Sequence, residues 1–234
     1  MAIRRGPKTS TNQIHMCLDA ANPNSYPGSG TVWTDIVDGI GANLINGPTY
    51  DPSDAGSIVF DNTNDYCQVV SNGQSQFAHQ SFTIESWVKP DTDSSDSVIF
   101  SYDYTSHTPP YYAAQFRLIS GGRIYFSWNN NGVWTSNVTS FSTPNNTYVA
   151  NEWQHIVAVF TSGRQEIRIN GILADSDNKD HTITYYNQPV WVGRANYSTS
   201  YFDGRIAMVK YYTTALSAEE VLLNYNSTKH RYIK

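Results

Sequence analysis

The first residues to test for chemistry are the five glutamates, Glu85, Glu152, Glu166, Glu219 and Glu220. Retaining cleavage of a glycosidic bond needs two carboxylates about 5 Å apart, which a strand supplies as acids at alternate positions on one face. The glutamates offer no such pair. Only Glu219 and Glu220 are close in the chain, and they fall in the first turn of an expected helix, where negative charge complements the dipole. Asp91-Thr92-Asp93 follows Pro90 and reads as a turn. There is no Gly-x-Ser-x-Gly elbow, no His-Glu-x-x-His and no phosphate loop, and the six histidines are scattered. The chain reads as non-catalytic.

Holding a sugar asks for less: aromatic faces against C–H surfaces, and planar amides or carboxylates bonding hydroxyls. Alternation over residues 82–88 puts Phe82, Ile84 and Val88 on one face, with Thr83, Glu85 and Trp87 on the other. Gln115 and Arg117 stand opposite Ala114, Phe116 and Leu118, and Trp191 stands opposite Val190 and Val192. Glu85, Trp87, Gln115, Arg117 and Trp191 are therefore expected to line one concave sheet and bind glycan. Two readings compete with this one. A sheet face covered by loops displays the same residue types, and the loop aromatics Tyr102, Tyr104, Tyr111, Tyr112, Trp134, Tyr197 and Tyr201 offer a rim site instead.

Asp61-Asn62-Thr63-Asn64-Asp65 packs four carboxylate or amide side chains into five residues. This makes Asp61, Asn64 and Asp65 the candidate ligands of a structural calcium, with Asp19 and Asp203 as further donors. No cofactor is otherwise required. Asx residues also build tight turns without any ion. Charge is uneven: Arg4, Arg5, Lys8, Lys229, Arg231 and Lys234 are six positive charges at the two ends, while the body carries nine basic and twenty acidic residues, a charge of −11. Arg4, Arg5 and Lys8 are thus candidates for docking on an acidic partner rather than on nucleic acid, which the acidic body would repel. Cys17 and Cys67 read as free buried thiols. No run approaches a membrane span, and the N-terminus lacks the apolar segment of a secretory signal.

These residues need strands to position them. Short apolar runs rich in β-branched and aromatic residues recur at 58–60, 66–70, 82–88, 98–102, 112–119, 123–128, 156–160, 167–169, 190–192 and 206–212, stopped by Gly, Asn or Asp. Asn170-Gly171 predicts a two-residue hairpin turn. After Leu216 the period becomes helical, with Ser217 and Glu220 spaced as a capping box and Leu216 and Val221 as a hydrophobic staple. Residues 20–56, rich in Pro and Gly, predict a long loop with at most one short strand. The organisation is a basic arm (1–12), one antiparallel β-sandwich (13–228) with a short C-terminal helix, and a basic tail (229–234). Trp153, Ile156, Ala158, Phe160, Ile167, Ile169, Val192 and Ile206 are the expected core.

The ordered set NEWQHIVAVF, the Asn-Gly hairpin, VWVGRA and YFDGRIAMVKYYTTALSAEE resembles the laminin G-like branch of the concanavalin A-like lectin/glucanase superfamily. GSIVFDNTNDYCQVV and SFTIESWVKP are similar to its upstream strands. LDAANPNSYPGSGTVWTDI resembles the opening of versions carried by tailed phages as virion proteins. The resemblance implies an all-β jelly roll, an edge calcium in many members, and a place on a virion as a capsid decoration or tail-appendage protein. Its partners would then be other virion proteins and host-surface glycans, with no membrane involved and an oligomer allowed. It also implies neighbouring jobs, polysaccharide hydrolase or lyase and cell-surface adhesin. The hydrolases' Glu-x-Asp-x-x-Glu is absent, and Ile206-Ala207-Met208 replaces the family's Ile-Asp-Glu.

Overall fold

A computed structural model describes residues 10–11, 13–70, 74–103, 112–129, 138–185, 189–195 and 200–233. The strands are β1 (Ile14–Asp19), β2 (Val32–Thr34), β3 (Gly41–Ile45), β4 (Thr49–Asp51), β5 (Ser57–Asp61), β6 (Tyr66–Val69), β7 (Phe82–Pro90) and β8 (Ser97–Asp103). They continue as β9 (Tyr112–Ile119), β10 (Arg123–Asn129), β11 (Val138–Ser142), β12 (Gln154–Thr161), β13 (Arg164–Ile169), β14 (Ile172–Asp177), β15 (Val190–Val192) and β16 (Asp203–Tyr212), and the helix is α1 (Ala218–Thr228). The fold class is as expected: two antiparallel sheets face each other, with one short C-terminal helix.

One sheet runs β14-β13-β12-β7-β16-β5-β4, with β1 also paired to β16, and the other runs β11-β10-β9-β8-β15-β6-β3-β2. We call them the helix-side sheet and the open-side sheet. The first and last strands are neighbours through the β1–β16 pairing. The 20–56 region departs from the expected loop, because β2, β3 and β4 all form there. Two of them are only three residues long, too short for alternation to show in sequence.

Alternation sends Phe82 and Ile84 of β7, Ile156, Ala158 and Phe160 of β12, and Phe116, Phe126 and Val192 of the opposite sheet into one core. Phe82 stacks on Phe160 with centroids 5.3 Å apart, and Phe126 meets both edge-on. Seven of the eight expected core residues are fully buried and Ile169 partly so, but Trp153 belongs to a separate cluster outside the sandwich, with Trp87 and Tyr232.

That outer cluster exists because α1 folds back over the helix-side sheet. Ser217 Oγ accepts from Glu220 N at 3.2 Å while Glu220 Oε2 accepts from Ser217 N at 2.8 Å, completing the box. Leu216 and Val221 are buried together against Val157 and Val159. Asn170 (φ 52°) and Gly171 (φ 82°) make the two-residue turn between β13 and β14. At φ 82° Gly171 holds a conformation that other residues rarely adopt, and a Cβ there would also lie 3.3 Å from Leu222 Cα of the helix. Two residues of the 229–234 segment pack on the domain. Arg231 pairs with Asp19 through Nη1–Oδ2 at 3.0 Å and Nη2–Oδ1 at 2.5 Å, and Tyr232 is buried. Cys17 and Cys67 are free and buried, one in each sheet, and burial pushes the Cys17 thiol up to about 12. Among the described residues no helix is long and apolar enough to cross a membrane.

Candidate functional site

The five residues expected on one sugar-binding face divide between two sheets. Glu85 and Trp87 lie on the outer side of the helix-side sheet, fully buried beneath α1. Trp87 Nε1 donates to Thr228 Oγ1 at 2.9 Å, and its ring packs on Tyr232 with centroids 4.6 Å apart. Glu85 Oε1 takes Lys210 Nζ at 2.9 Å, while Oε2 takes Asn224 Nδ2 at 2.6 Å and the Tyr212 hydroxyl at 3.2 Å. His155 Nε2 lies 3.2 Å from Oε1, near enough for charge pairing but off the line of a hydrogen bond. Burial alone would raise the Glu85 carboxyl, yet Lys210 and then His155 hold it well below the usual carboxylate range. This network is a fastening for α1, so Glu85 and Trp87 are corrected from sugar ligands to structural residues. Alternation assigned their shared face correctly; it could not reveal the layer on top.

Trp191, Gln115 and Arg117 do share the outer face of the open-side sheet. The register aligns Asn43, Gln68, Trp191, Ser101, Gln115, Ser127 and Ser140 in one row across seven strands, β3 to β11. The first six are each flanked along their own strand by core residues and so point outward, and Ser140 at the β11 end is exposed. The row is a line of amides and hydroxyls with an indole third from its β3 end. Arg117 stands one step along, its guanidinium 4.5 Å above the Tyr125 ring and 3.5 Å from Asp96.

The best-built part is the end around Trp191. The Arg194 guanidinium lies 4.2 Å from the Trp191 ring, 4.5 Å from Tyr66 and 5.6 Å from Tyr201. Gly193 makes this possible: at φ 85° it turns the chain at the end of β15, and a Cβ there would lie 2.8 Å from Phe60 Cε1. Ser101 Oγ donates to Arg194 O at 2.8 Å, fixing the turn from the neighbouring strand. Tyr66, Gln68, Asn43, Arg194 and Tyr201 are partly exposed, whereas Ser101, Gln115 and Ser127 are enclosed. Trp191 is 6% exposed, and among the described residues its indole N–H has no hydrogen-bond partner. Such a surface can stack a sugar ring on aromatic edges and bond its hydroxyls through Gln68, Asn43 and Arg194. Tyr66, Gln68 and Arg194 were not picked out from sequence. Their signal was available in the alternation of 66–69 and in the Gly-Arg closing 190–194.

Of the rim aromatics, Tyr201 joins this site and Tyr102 is buried in the core. Tyr104, Tyr111, Trp134 and Tyr197, and the side chain of Tyr112, lie outside the described residues, as do Arg4, Arg5 and Lys8.

The expected calcium residues form a turn. Asp61 Oδ1 accepts from Thr63 N at 2.9 Å and Asn64 N at 3.3 Å, and these amides hold its carboxyl below the usual range. Asp65 is buried, and burial followed by the Asp61 charge raises its carboxyl. Asp203 faces Asp61 across the β5–β16 pairing, but Asp19 is taken by Arg231. Among the described residues no group of three or more His, Cys, Asp or Glu is arranged to hold a metal ion.

Known proteins share this architecture. The Laminin_G_3 family model, described as concanavalin A-like lectin/glucanases superfamily, matches residues 61–222. Domain 4 of AbnA, a GH43 extracellular arabinanase from Geobacillus stearothermophilus, solved with arabinotriose, aligns over 90% of this chain and 97% of its own, with TM-score 0.63 and 15% identity. The binding domain of botulinum neurotoxin DC in complex with SialylT aligns over 92% of this chain, with TM-score 0.68 and 12% identity. The binding domain of Paraclostridial Mosquitocidal Protein 1 aligns over 92%, with TM-score 0.67 and 17% identity. This chain spans 52% of each of those two binding domains. At such identities the likeness is one of fold. No curated protein matches the sequence.

Proposed function

The chain belongs to the concanavalin A-like lectin/glucanase superfamily, and from that footing we propose a non-catalytic, glycan-binding component of a virion surface, a capsid decoration or tail appendage. The observation that carries the glycan reading is the Trp191 site, with one guanidinium set among three aromatic rings at the end of an amide row. Solved structures of the same fold, an arabinanase domain with arabinotriose and a toxin binding domain with SialylT, support it. An immobilised panel of bacterial surface glycans tests it: the intact protein should be retained on at least one, and Trp191→Ala should not.

The opposing reading is a polysaccharide-cleaving enzyme. Against it, Glu85 is committed to Lys210, Glu166 pairs with Arg168 at 2.7 Å, and Glu219 and Glu220 open α1. Release of reducing ends from mixed β-glucans would favour the enzyme. The virion assignment draws on the likeness of residues 18–36 to phage versions and on Arg4, Arg5 and Lys8 as a docking arm for an acidic particle surface. Mass spectrometry of purified virions should detect the protein, and deleting residues 1–12 should abolish incorporation while leaving the melting temperature nearly unchanged. Full occupancy by the truncated protein would remove the arm from the account.

A further inference from the structure

The negative charge of this chain is not shared evenly by its two sheets. In the strands of the helix-side sheet, acids outnumber Lys and Arg. The strands of the open-side sheet contain two arginines, Arg117 and Arg123, and a single acid, Asp103. Both arginines hold outward positions, because Phe116, Leu118 and Ile124 beside them lie in the core. Arg194, just beyond β15, brings a third positive charge to the same side, over the Trp191 ring. The body is acidic, but its candidate glycan face is basic.

Of the three, Arg117 is drawn toward Asp96 at the rim, whereas Arg194 stands at the aromatic site. The backbone holds Arg194 firmly there. Its main chain bridges Tyr201, Phe202 N donates to Gly193 O at 2.8 Å, and Ser101 Oγ bonds Arg194 O from the neighbouring strand. Aromatic rings attract a guanidinium through their faces, and a carboxylate attracts it more strongly, through two parallel N–H···O bonds that match the fork. Beside it, Gln68 pairs across the strands with both Trp191 and Asn43. The side chains of Gln68 and Asn43 are partly exposed and make no hydrogen bond among the described residues. Such amides can donate to and accept from sugar hydroxyls at once.

We propose that the Trp191 face selects carboxylate-bearing saccharides, uronic or sialic acids, with the carboxylate on Arg194 and the ring hydroxyls on Gln68 and Asn43. This rests on the glycan reading of that face and adds the charge that it selects. Matched pairs separate charge from sugar: trigalacturonic acid against its methyl ester, and sialyllactose against lactose, each titrated by calorimetry into the full-length protein. The acidic member of at least one pair should bind about tenfold or more tightly than its neutral counterpart, and the gap should narrow as salt rises. The pair that responds separates uronate from sialate. Arg194→Gln should weaken binding of that acidic member by about tenfold, and Arg194→Lys, which keeps the charge but not the fork, by less. Unaltered melting curves would verify that both variants are folded. Equal affinity within both pairs, binding of no member, or a preference that survives Arg194→Gln overturns the proposal. A neutral glycan retained by the intact protein and lost in Trp191→Ala would, in that event, leave the glycan reading standing.

Discussion

On the outer side of one sheet, Glu85, Trp87 and Lys210 lie beneath α1 in a closed polar network. On the outer side of the other, no helix among the described residues covers Trp191, Gln68 and Arg194; Gln68 and Arg194 are partly open and Trp191 is buried beside them. Both faces are written in sequence by the same device, a polar or aromatic residue between two apolar ones. What separates them is the third layer: a capped helix over one sheet turns potential ligands into fasteners. A charge under such a layer must be paired, whereas the Arg194 charge on the other face lies against three aromatic rings.

The largest effects are expected on the closed side. Lys210→Met leaves the buried Glu85 carboxylate short of its main partner and should cost about 3–5 kcal/mol, seen as a lowered melting temperature or denaturation midpoint. Phe160→Ala, in the core between the sheets, should cost a similar amount, about 3–5 kcal/mol. If Lys210→Met proved neutral, α1 would be held by its apolar face only and the contrast between the faces would weaken. On the open side, Trp191→Ala removes a buried indole and its contact with Arg194 and should cost about 3 kcal/mol, the low end for a buried Trp.

Acid should act mainly on the closed side. The Glu85 carboxyl is depressed in the folded state, so its contribution is fully present above the unfolded value of about 4.3 and is lost progressively as pH falls below it. Lys210→Met should flatten this part of the stability-versus-pH curve, whereas Trp191→Ala should leave its shape alone. An acid limb indifferent to Lys210 would place the titrating group elsewhere. The smallest effect is expected from chelation. With Asp61 turned onto its own amides, EDTA and added calcium should leave the melting temperature unchanged, and a reversible shift would restore a cation to the 61–65 turn.

How much of this was legible follows from what alternation encodes. Strands β7, β9, β12 and β16, the Asn170-Gly171 turn and the Ser217–Glu220 cap were readable because each has a local signal. The short β2, β3 and β4 were not, since Gly and Pro punctuate them and their pairing is set by distant partners. For the site, alternation correctly grouped Gln115, Arg117 and Trp191 apart from the core. It could not tell that Glu85 sits on a different sheet, nor that Arg194 folds back over Trp191, because both depend on which strands become neighbours.

The central claim is that the open face around Trp191 binds glycan. Its most direct test is titration of one retained glycan into the intact protein and into Trp191→Ala by calorimetry, with both proteins verified as folded by their melting curves. A fall in affinity of about tenfold or more, roughly 1.4 kcal/mol, is the predicted result. Equal affinity in the two proteins would contradict the claim.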